Sequence, residues 1–445
     1  MSNTFVALAT PYLSSAIAII RINGDQAYEV VNKIVDNKLI KKGYSVQKLF
    51  IYDKKNIIDE AIFVKFVSPR SFTGDDIIEI NCHGGPIIID KIINLLLKNG
   101  ARLAEPGEFT KRAFLNNKLS LMQANSINNL INAKTESLTK LAINNLTSST
   151  SNKLFEIKNK LFNVIGKIEV NIDYPEYDDV EVINHNSYIK YLEDIVVMLN
   201  QIINNYESVK HIYNGINVAI IGKPNVGKSS LLNSLLKKDK AIVSNIAGTT
   251  RDIVNDSIII DDILYNFIDT AGIRESKNKI EKIGVQKSLN TIKDADFIIF
   301  LIDSTKKISS QEQDIIKKIK NKKYVIVKNK IDLKNDKNKE LTNTIEISAK
   351  KNNIESLLKY LKQTFKVDLS VLNKNQYIAS NNELNQIKNI KEILSTSISF
   401  AKDKIPLDVL LHDITKAYKN FAIFLGESSD FDILDDLFKN FCLGK

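Results

Sequence analysis

The chain has 445 residues, of which 44% are apolar and 26% charged. That is enough for two or three domains with real cores, and it excludes a mainly disordered, collagen-like or disulfide-stapled protein. The net charge of +10 invites a polyanionic partner, but in a chain crowded with Lys, Asn and Ile, diffuse solvated lysine is the plainer explanation.

Residues 1–118 alternate short strand-like runs (Ala16 to Ile22, Ala61 to Phe66, Ile77 to Asn81) with at least two helices, which predicts an α+β domain. The opening residues lack the basic cluster of a signal peptide, and no apolar run approaches the roughly 20 residues of a membrane helix. The two cysteines, Cys82 and Cys442, suit a reducing compartment, so a cytoplasmic protein is expected. Between Asn116 and Asn214 the only Gly and Pro are Gly166 and Pro175. Leu154, Ile157, Leu161, Val164 and Ile168 recur there at helical spacing. A second helical stretch, striped by Leu384, Ile387, Ile390, Ile393 and Leu394, runs to the end. Between the two, strand-like runs at Val218 to Ile221, Ile298 to Ile302 and Tyr324 to Val327 alternate with helices. The expected architecture is multidomain α/β. It has an α+β domain (1–118), a discontinuous all-α helical domain (119–210 and 372–445), and an inserted doubly wound α/β domain (211–371).

The insert carries the chemistry. Gly222 to Ser229 reads GKPNVGKS, a complete phosphate-loop pattern after a strand and before a helix. Backbone N–H groups of Asn225, Val226, Gly227 and Lys228, with the helix start at Ser229 and Ser230, would cradle phosphates. Lys228 would reach the β- and γ-phosphates and Ser229 would ligate Mg²⁺. This loop alone does not choose between ATP and GTP. Asn329-Lys330-Ile331-Asp332 does, because the Asp332 carboxylate can accept from guanine N1–H and its exocyclic amine, a donor pair adenine lacks. Ser348-Ala349-Lys350 would wall the base. Thr249 and Thr250 are candidates for sensing Mg²⁺ and the γ-phosphate, with Thr250 the Mg²⁺ ligand. Asp269-Thr270-Ala271-Gly272 supplies the carboxylate that orients the water shell of magnesium. A GTP-binding, GTP-hydrolysing domain follows.

Where signalling GTPases place a water-orienting Gln after this glycine, the chain has Ile273, which cannot polarise water. Glu275 or Glu281 could supply the function. Among only six arginines, Arg251 and Arg274 lie in this domain and could act as fingers.

The run Asn245-Ile246-Ala247-Gly248-Thr249-Thr250-Arg251-Asp252, with Asp269 to Glu275, resembles the potassium-dependent, dimerisation-activated GTPases. Further segments narrow it: Ser71 to Asp76, Cys82-His83-Gly84-Gly85-Pro86, Pro106 to Phe114, Ile172 to Glu176, and the terminal Cys442-Leu443-Gly444-Lys445. Together these resemble the MnmE (TrmE) family of bacterial tRNA uridine-5-carboxymethylaminomethyl modification GTPases over essentially the whole chain. The resemblance implies a homodimer that modifies the wobble uridine (position 34) of tRNA in a heterotetramer with the flavin-dependent partner MnmG (GidA). It implies a reduced folate, 5-formyl- or 5,10-methylene-tetrahydrofolate, as one-carbon donor, contacted by Arg21, Glu79, Lys118 and Lys445. It assigns water orientation to Glu281, K⁺ ligation to Asn225, Ser244, Ile246 and Thr249, and a part in the chemistry to Cys442. Two positions depart from the family pattern: the glycine-free turn from Tyr12 to Ala16, and Glu105 in place of an expected Arg. A ribosome-assembly or RNA-binding GTPase without modification chemistry is the alternative. The four histidines show no metal-ligand spacing.

Overall fold

The computed structural model describes residues 4–39, 45–147, 151–173, 183–238, 256–268, 292–333, 338, 341, 344–366, 378–425 and 427. The chain divides into two compact units. One is Met1–Ile131 with Asn145–Gln201 and Tyr377–Lys445; the other is Asn132–Asn144 with Ile202–Gln376.

The first unit opens with a six-stranded sheet: β1 (Phe5–Leu8), β2 (Ser15–Asn23), β3 (Val46–Asp53), β4 (Asn56–Phe66), β5 (Ile77–Gly84) and β6 (Arg102–Leu103), in the order β3-β4-β5-β2-β1-β6. It is antiparallel apart from the β1–β6 pair. Period-two alternation sorts its faces. Ala18, Ile20 and Ile22 of β2 with Ile78, Ile80 and Cys82 of β5 are buried in one core with α1 (Ala27–Asn32) and α2 (Pro86–Lys98). The opposite face carries Arg21, Glu79 and His83. On β1, Phe5 meets Phe109 of α3 (Glu108–Leu115) edge-on, with ring centroids 4.9 Å apart.

The helices that follow are α4 (Leu121–Ile131), α5 (Glu136–Thr147), α6 (Ser151–Asp173) and α7 (His185–Asn214). The stripe expected from sequence, Leu154 to Ile168, is buried along α6.

The second unit holds the other six-stranded sheet: β7 (Ile216–Ile221), β8 (Asp256–Ile260), β9 (Ile263–Phe267), β10 (Phe297–Asp303), β11 (Lys323–Asn329) and β12 (Thr344–Glu346). Its order is β12-β11-β10-β7-β9-β8, parallel except for β8. Every residue of β10 is buried, which is why that strand reads as an uninterrupted apolar run. Helices α8 (Lys228–Lys238), α9 (Ser310–Ile319) and α10 (Glu355–Thr364) belong to this unit. So does the start of α5. At the β8–β9 turn, Asp261 and Asp262 both have positive φ, 53° and 64°, as a tight hairpin requires. The Asp262 carboxylate accepts from the Glu136 and Ser137 N–H groups, each at 2.7 Å. It thereby caps α5 with the negative charge a helix start prefers. Leu138 and Leu141 of α5 pack on Val209 and Ile212 of α7. The unit is therefore wider than the segment 211–371 read from sequence.

The chain returns to the first unit through α11 (Asn381–Lys402) and α12 (Leu407–Leu425). Leu384, Ile387, Ile390 and Leu394 are buried on α11, while Ile393 at the edge of the stripe is half-buried. Glu383 is buried too. It accepts from the Ala379 N–H at 2.6 Å and from the Asn125 amide, which fixes the chain where it re-enters this unit.

Candidate functional site

The phosphate loop leaves the carboxyl end of β7, beside the point where strand order reverses, which is where ligands bind in open α/β sheets. Its glycines are sterically required. Gly222 has φ +154°, and a Cβ there would lie 2.3 Å from the Leu301 carbonyl oxygen. Gly227 has φ +104°, and its Cβ would lie 2.2 Å from Asn329 Nδ2. Asn225 is exposed and adopts φ +64°. The Lys228 ammonium donates to the Gly222 and Lys223 carbonyls at 2.7 and 2.9 Å, and burial pulls its pKa down. Among the described residues this half-buried cation meets carbonyl dipoles alone, and at the start of a helix it calls for an anion. Ser229 is the second residue of α8 and is half-buried.

The other side of the site is built on three loops held together by one side chain. Asn329, at the end of β11, is 3% exposed. Its amide donates to the Val226 carbonyl at 2.8 Å and accepts from the Ala349 N–H at 3.0 Å. One N–H and the oxygen of that amide are engaged by protein, so Asn329 shapes the site, and the amide nitrogen carries a second N–H. Ala349 is further fixed by Ser234 of α8, whose hydroxyl donates to its carbonyl at 2.7 Å. Asp332 sits in a 3-10 turn, Ile331–Leu333. The Ser348 hydroxyl donates to Asp332 Oδ1 at 2.6 Å, and this bond holds the carboxyl below its ordinary pKa, so it is an ionised acceptor. Lys330, with φ +69°, is paired with Asp303 at 2.6 Å. Lys350 is exposed.

Sequence reasoning missed Asp303, Ser234 and the partners of Lys223. The Lys223 ammonium donates to Ser309 Oγ at 2.6 Å and lies 3.4 Å from Glu312. Ser309 and Glu312 form the capping box of α9, and their Ser-x-x-Glu spacing was a readable signal.

Other expected residues lie outside the described residues: Ser244, Asn245, Ile246, Ala247, Gly248, Thr249, Thr250, Asp269, Thr270, Ala271, Gly272, Glu281, Cys442 and Lys445. Of the metal ligands expected, only Ser229 for Mg²⁺ and Asn225 for K⁺ are described.

In the N-terminal sheet, Arg21 and Glu79 face each other in the β2–β5 register. Arg21 Nη2 and Nε donate to Glu79 Oε1 at 2.6 and 2.9 Å. The guanidinium also lies over the Phe109 ring, 5.5 Å from its centroid. Lys118 is exposed, and its N–H closes α3 on the Ala113 carbonyl at 2.8 Å. Its stem flanks Gly74, whose Cβ would lie 3.5 Å from Lys118 Cγ. The glycine-free turn closes by other means: the Leu13 N–H donates to Pro11 at 2.9 Å, and the Tyr12 hydroxyl donates to Asp90 at 2.8 Å. The Glu105 N–H donates to Glu108 at 2.8 Å, and Glu108 also pairs with Arg102. Cys82 is buried, and burial pushes its thiol up to about 11, the state of an inert cysteine.

A doubly wound sheet of this order, with a phosphate loop on its central strand and an Asn-Lys-x-Asp loop sewn to it, defines a P-loop GTPase domain inserted in a larger α/β protein. Residues 4–118 match the family described as GTP-binding protein TrmE N-terminus, and residues 121–442 match the MnmE helical domain. The tRNA modification GTPase MnmE of Malacoplasma penetrans is 54% identical over 100% of both chains. That of Mesoplasma florum is 40% identical over 100% of this chain and 99% of its own. Among solved structures, Aquifex aeolicus Era bound to GDP.AlF4- is 33% identical, covering 34% of this chain and 56% of that one, with a TM-score of 0.25. The chain belongs to the MnmE family of tRNA modification GTPases.

Proposed function

We propose that this chain hydrolyses GTP in the service of tRNA modification, forming 5-carboxymethylaminomethyluridine at the wobble position with the flavin-dependent partner MnmG. The observation that carries the nucleotide half of this reading is the Asn329 amide. It joins the Val226 carbonyl of the phosphate loop to the Ala349 N–H of the base-side loop, while Ser348 presets Asp332 as an ionised acceptor. Such a site favours a base offering two adjacent donors.

In this reading Lys228 meets the β- and γ-phosphates, Ser229 and Thr250 hold Mg²⁺, and Glu281 orients the attacking water that Ile273 cannot. Asn225 with Ser244, Ile246 and Thr249 would hold K⁺, which supplies positive charge where charge develops in transfer. Arg21, Glu79, Lys118 and Lys445 would take a reduced folate. The Arg21–Glu79 pair supports this, because it offers a cation and a carboxylate side by side, as a pterin ring with an anionic tail requires. Cys442 takes part in the modification, two copies of the chain form the working homodimer, and the assembly works in the cytoplasm. The domains of this reading are 1–118 for folate and dimerisation, 211–371 for GTP, and 119–210 with 372–445 for the helical part. Nucleoside analysis of tRNA from a deletion strain tests it. The modified wobble uridine should vanish and return with the wild-type chain, but not with Cys442→Ser. An unchanged nucleoside profile in the deletion strain would refute the tRNA role.

A further inference from the structure

The β8–β9 turn is built against the preference of its own backbone. Ile260 pairs with Ile263, so Asp261 and Asp262 are the two central residues, at φ 53° and 64°. Such a turn favours Gly at its second position, because a left-handed backbone disfavours a Cβ. What the aspartate adds is its carboxylate. Oδ1 of Asp262 accepts from the Glu136 N–H and Oδ2 from the Ser137 N–H, each at 2.7 Å, and the Ser137 hydroxyl also donates to Oδ2. The next amide of α5, that of Leu138, donates to the local cap Thr135 at 3.2 Å. The first two orphan donors of the helix are thus served by a side chain 125 residues away in sequence, held as a helix start holds a bound anion.

The place of this turn in the sheet gives the contact its interest. β9 runs parallel to β7, with Ile216 opposite Tyr265 and Val218 opposite Phe267. The phosphate loop leaves β7 after Ile221, so the turn lies at the end of the sheet away from the phosphates. Both strands of the hairpin connect the turn to the nucleotide side. β8 starts at Asp256, shortly after Thr250, and β9 ends at Phe267, just before Asp269. The segments expected to sense Mg²⁺ and the γ-phosphate are therefore joined to opposite strands of one hairpin, and its tip grips α5. That helix does not stop in this unit: its residues up to Asn144 belong here, and those from Asn145 belong to the other unit.

We infer that Asp262 couples the nucleotide cycle to α5: when the segments carrying Thr250 and Asp269 are drawn onto Mg²⁺ and the γ-phosphate, the hairpin shifts along its strands and the carboxylate withdraws from the Glu136 and Ser137 amides. The first turn of α5 then loosens. This rests on the nucleotide reading above. A shift of about 1 Å is enough, because a contact stretched beyond roughly 3.5 Å is no longer a hydrogen bond. The coupling is reciprocal, so whatever steadies the start of α5 favours the state without the γ-phosphate.

The test is hydrogen–deuterium exchange of the full chain, read on peptides covering residues 132–144, with GDP and with GDP plus aluminium fluoride in K⁺ buffer. In the wild type the start of α5 should exchange about tenfold faster in the aluminium fluoride state, the scale of one charge-assisted hydrogen bond. Asp262→Gly, which suits the left-handed turn, should exchange at that faster rate in both states. Its GTP turnover at saturation should stay close to wild type, while tRNA modification in a deletion strain carrying it falls. A cap with a structural role alone would leave wild-type exchange the same in both states, and that result overturns the coupling. So does a nucleotide response that survives in Asp262→Gly, or full tRNA modification by that variant. Should Asp262→Gly fail to fold, Asp262→Asn decides, since it keeps one acceptor without the charge: a response of wild-type size there rejects the coupling. A wild type that binds ATP and GTP alike sinks the nucleotide reading itself, whereas one that prefers GTP and shows no response at α5 sinks this inference alone.

Discussion

Asn329→Ala is the most informative single change in the nucleotide site, because it removes a side chain that ties the loops together and leaves Lys228, Ser229 and Asp332 in place. The amide makes two hydrogen bonds to backbone groups, to Val226 at 2.8 Å and from Ala349 at 3.0 Å. Each is worth about 1 kcal/mol net, and a buried backbone group left without a partner costs a further ~1–3 kcal/mol. Water entering the space vacated partly re-satisfies both backbone groups, so about half the lower-end penalty applies to each, giving a total of about 3 kcal/mol. Expressed in binding, that is roughly 10²-fold in affinity. The loss should fall mainly on the nucleotide, because without the tie the phosphate loop and the Ser348–Lys350 loop must be brought together by the ligand. Calorimetric titration with GDP should therefore show affinity down by about 10²-fold, with a smaller drop in the urea midpoint of the free protein. Asn329→Asp is the control. It keeps the acceptor for Ala349 but faces the Val226 carbonyl with a carboxylate, and should bind at least as poorly. The reasoning fails if Asn329→Ala leaves both GDP affinity and the urea midpoint at wild-type values.

Asp332→Asn should weaken GTP and admit xanthosine triphosphate, since the amide donates where the carboxylate only accepts. An undiminished preference for GTP in competition binding would remove Asp332 from the base site. Glu383 is buried, and burial raises its pKa above the ordinary 4.5 despite donors from Ala379, Asn125 and Ser380. Ionisation therefore costs stability, which is full below the unfolded-state value and is lost as pH rises through the raised one. The melting temperature of Glu383→Gln relative to wild type should be near zero at about pH 4 and grow towards neutrality; a flat difference would contradict this. Replacing K⁺ by Na⁺, which is too small for the expected cage, should slow GTP turnover by roughly 10² to 10³ with little change in GDP affinity. Equal rates in both ions, with a large loss in Arg251→Ala or Arg274→Ala, would give the charge-stabilising role to an arginine.

What was legible in the sequence follows from how far apart interacting groups lie along the chain. The phosphate loop and the Asn-Lys-x-Asp loop are contiguous because one ligand dictates several neighbouring residues, so their chemistry is written locally. The groups that hold those residues are not local. Asp303 reaches Lys330, Ser234 reaches Ala349, and Asp262 reaches the start of α5, each across intervening elements and with no spacing rule to announce it. Strand β10 was legible because it is buried on both faces. β8 and β9 form a short hairpin whose turn, Asp261-Asp262, lacks the glycine that usually marks one, and they passed unnoticed.

Arg21 and Glu79 show the same limit in the N-terminal sheet. Each was expected to meet a folate separately, yet the β2–β5 register makes them cross-strand partners. That pairing changes the argument for Glu79. A carboxylate wholly committed to an arginine would be a poor reader of a pterin edge. The two hydrogen bonds that Arg21 Nε and Nη2 give to Glu79, however, both fall on Oε1. With Arg21 orienting Glu79 through Oε1, Oε2 is the oxygen a pterin N–H would have to meet.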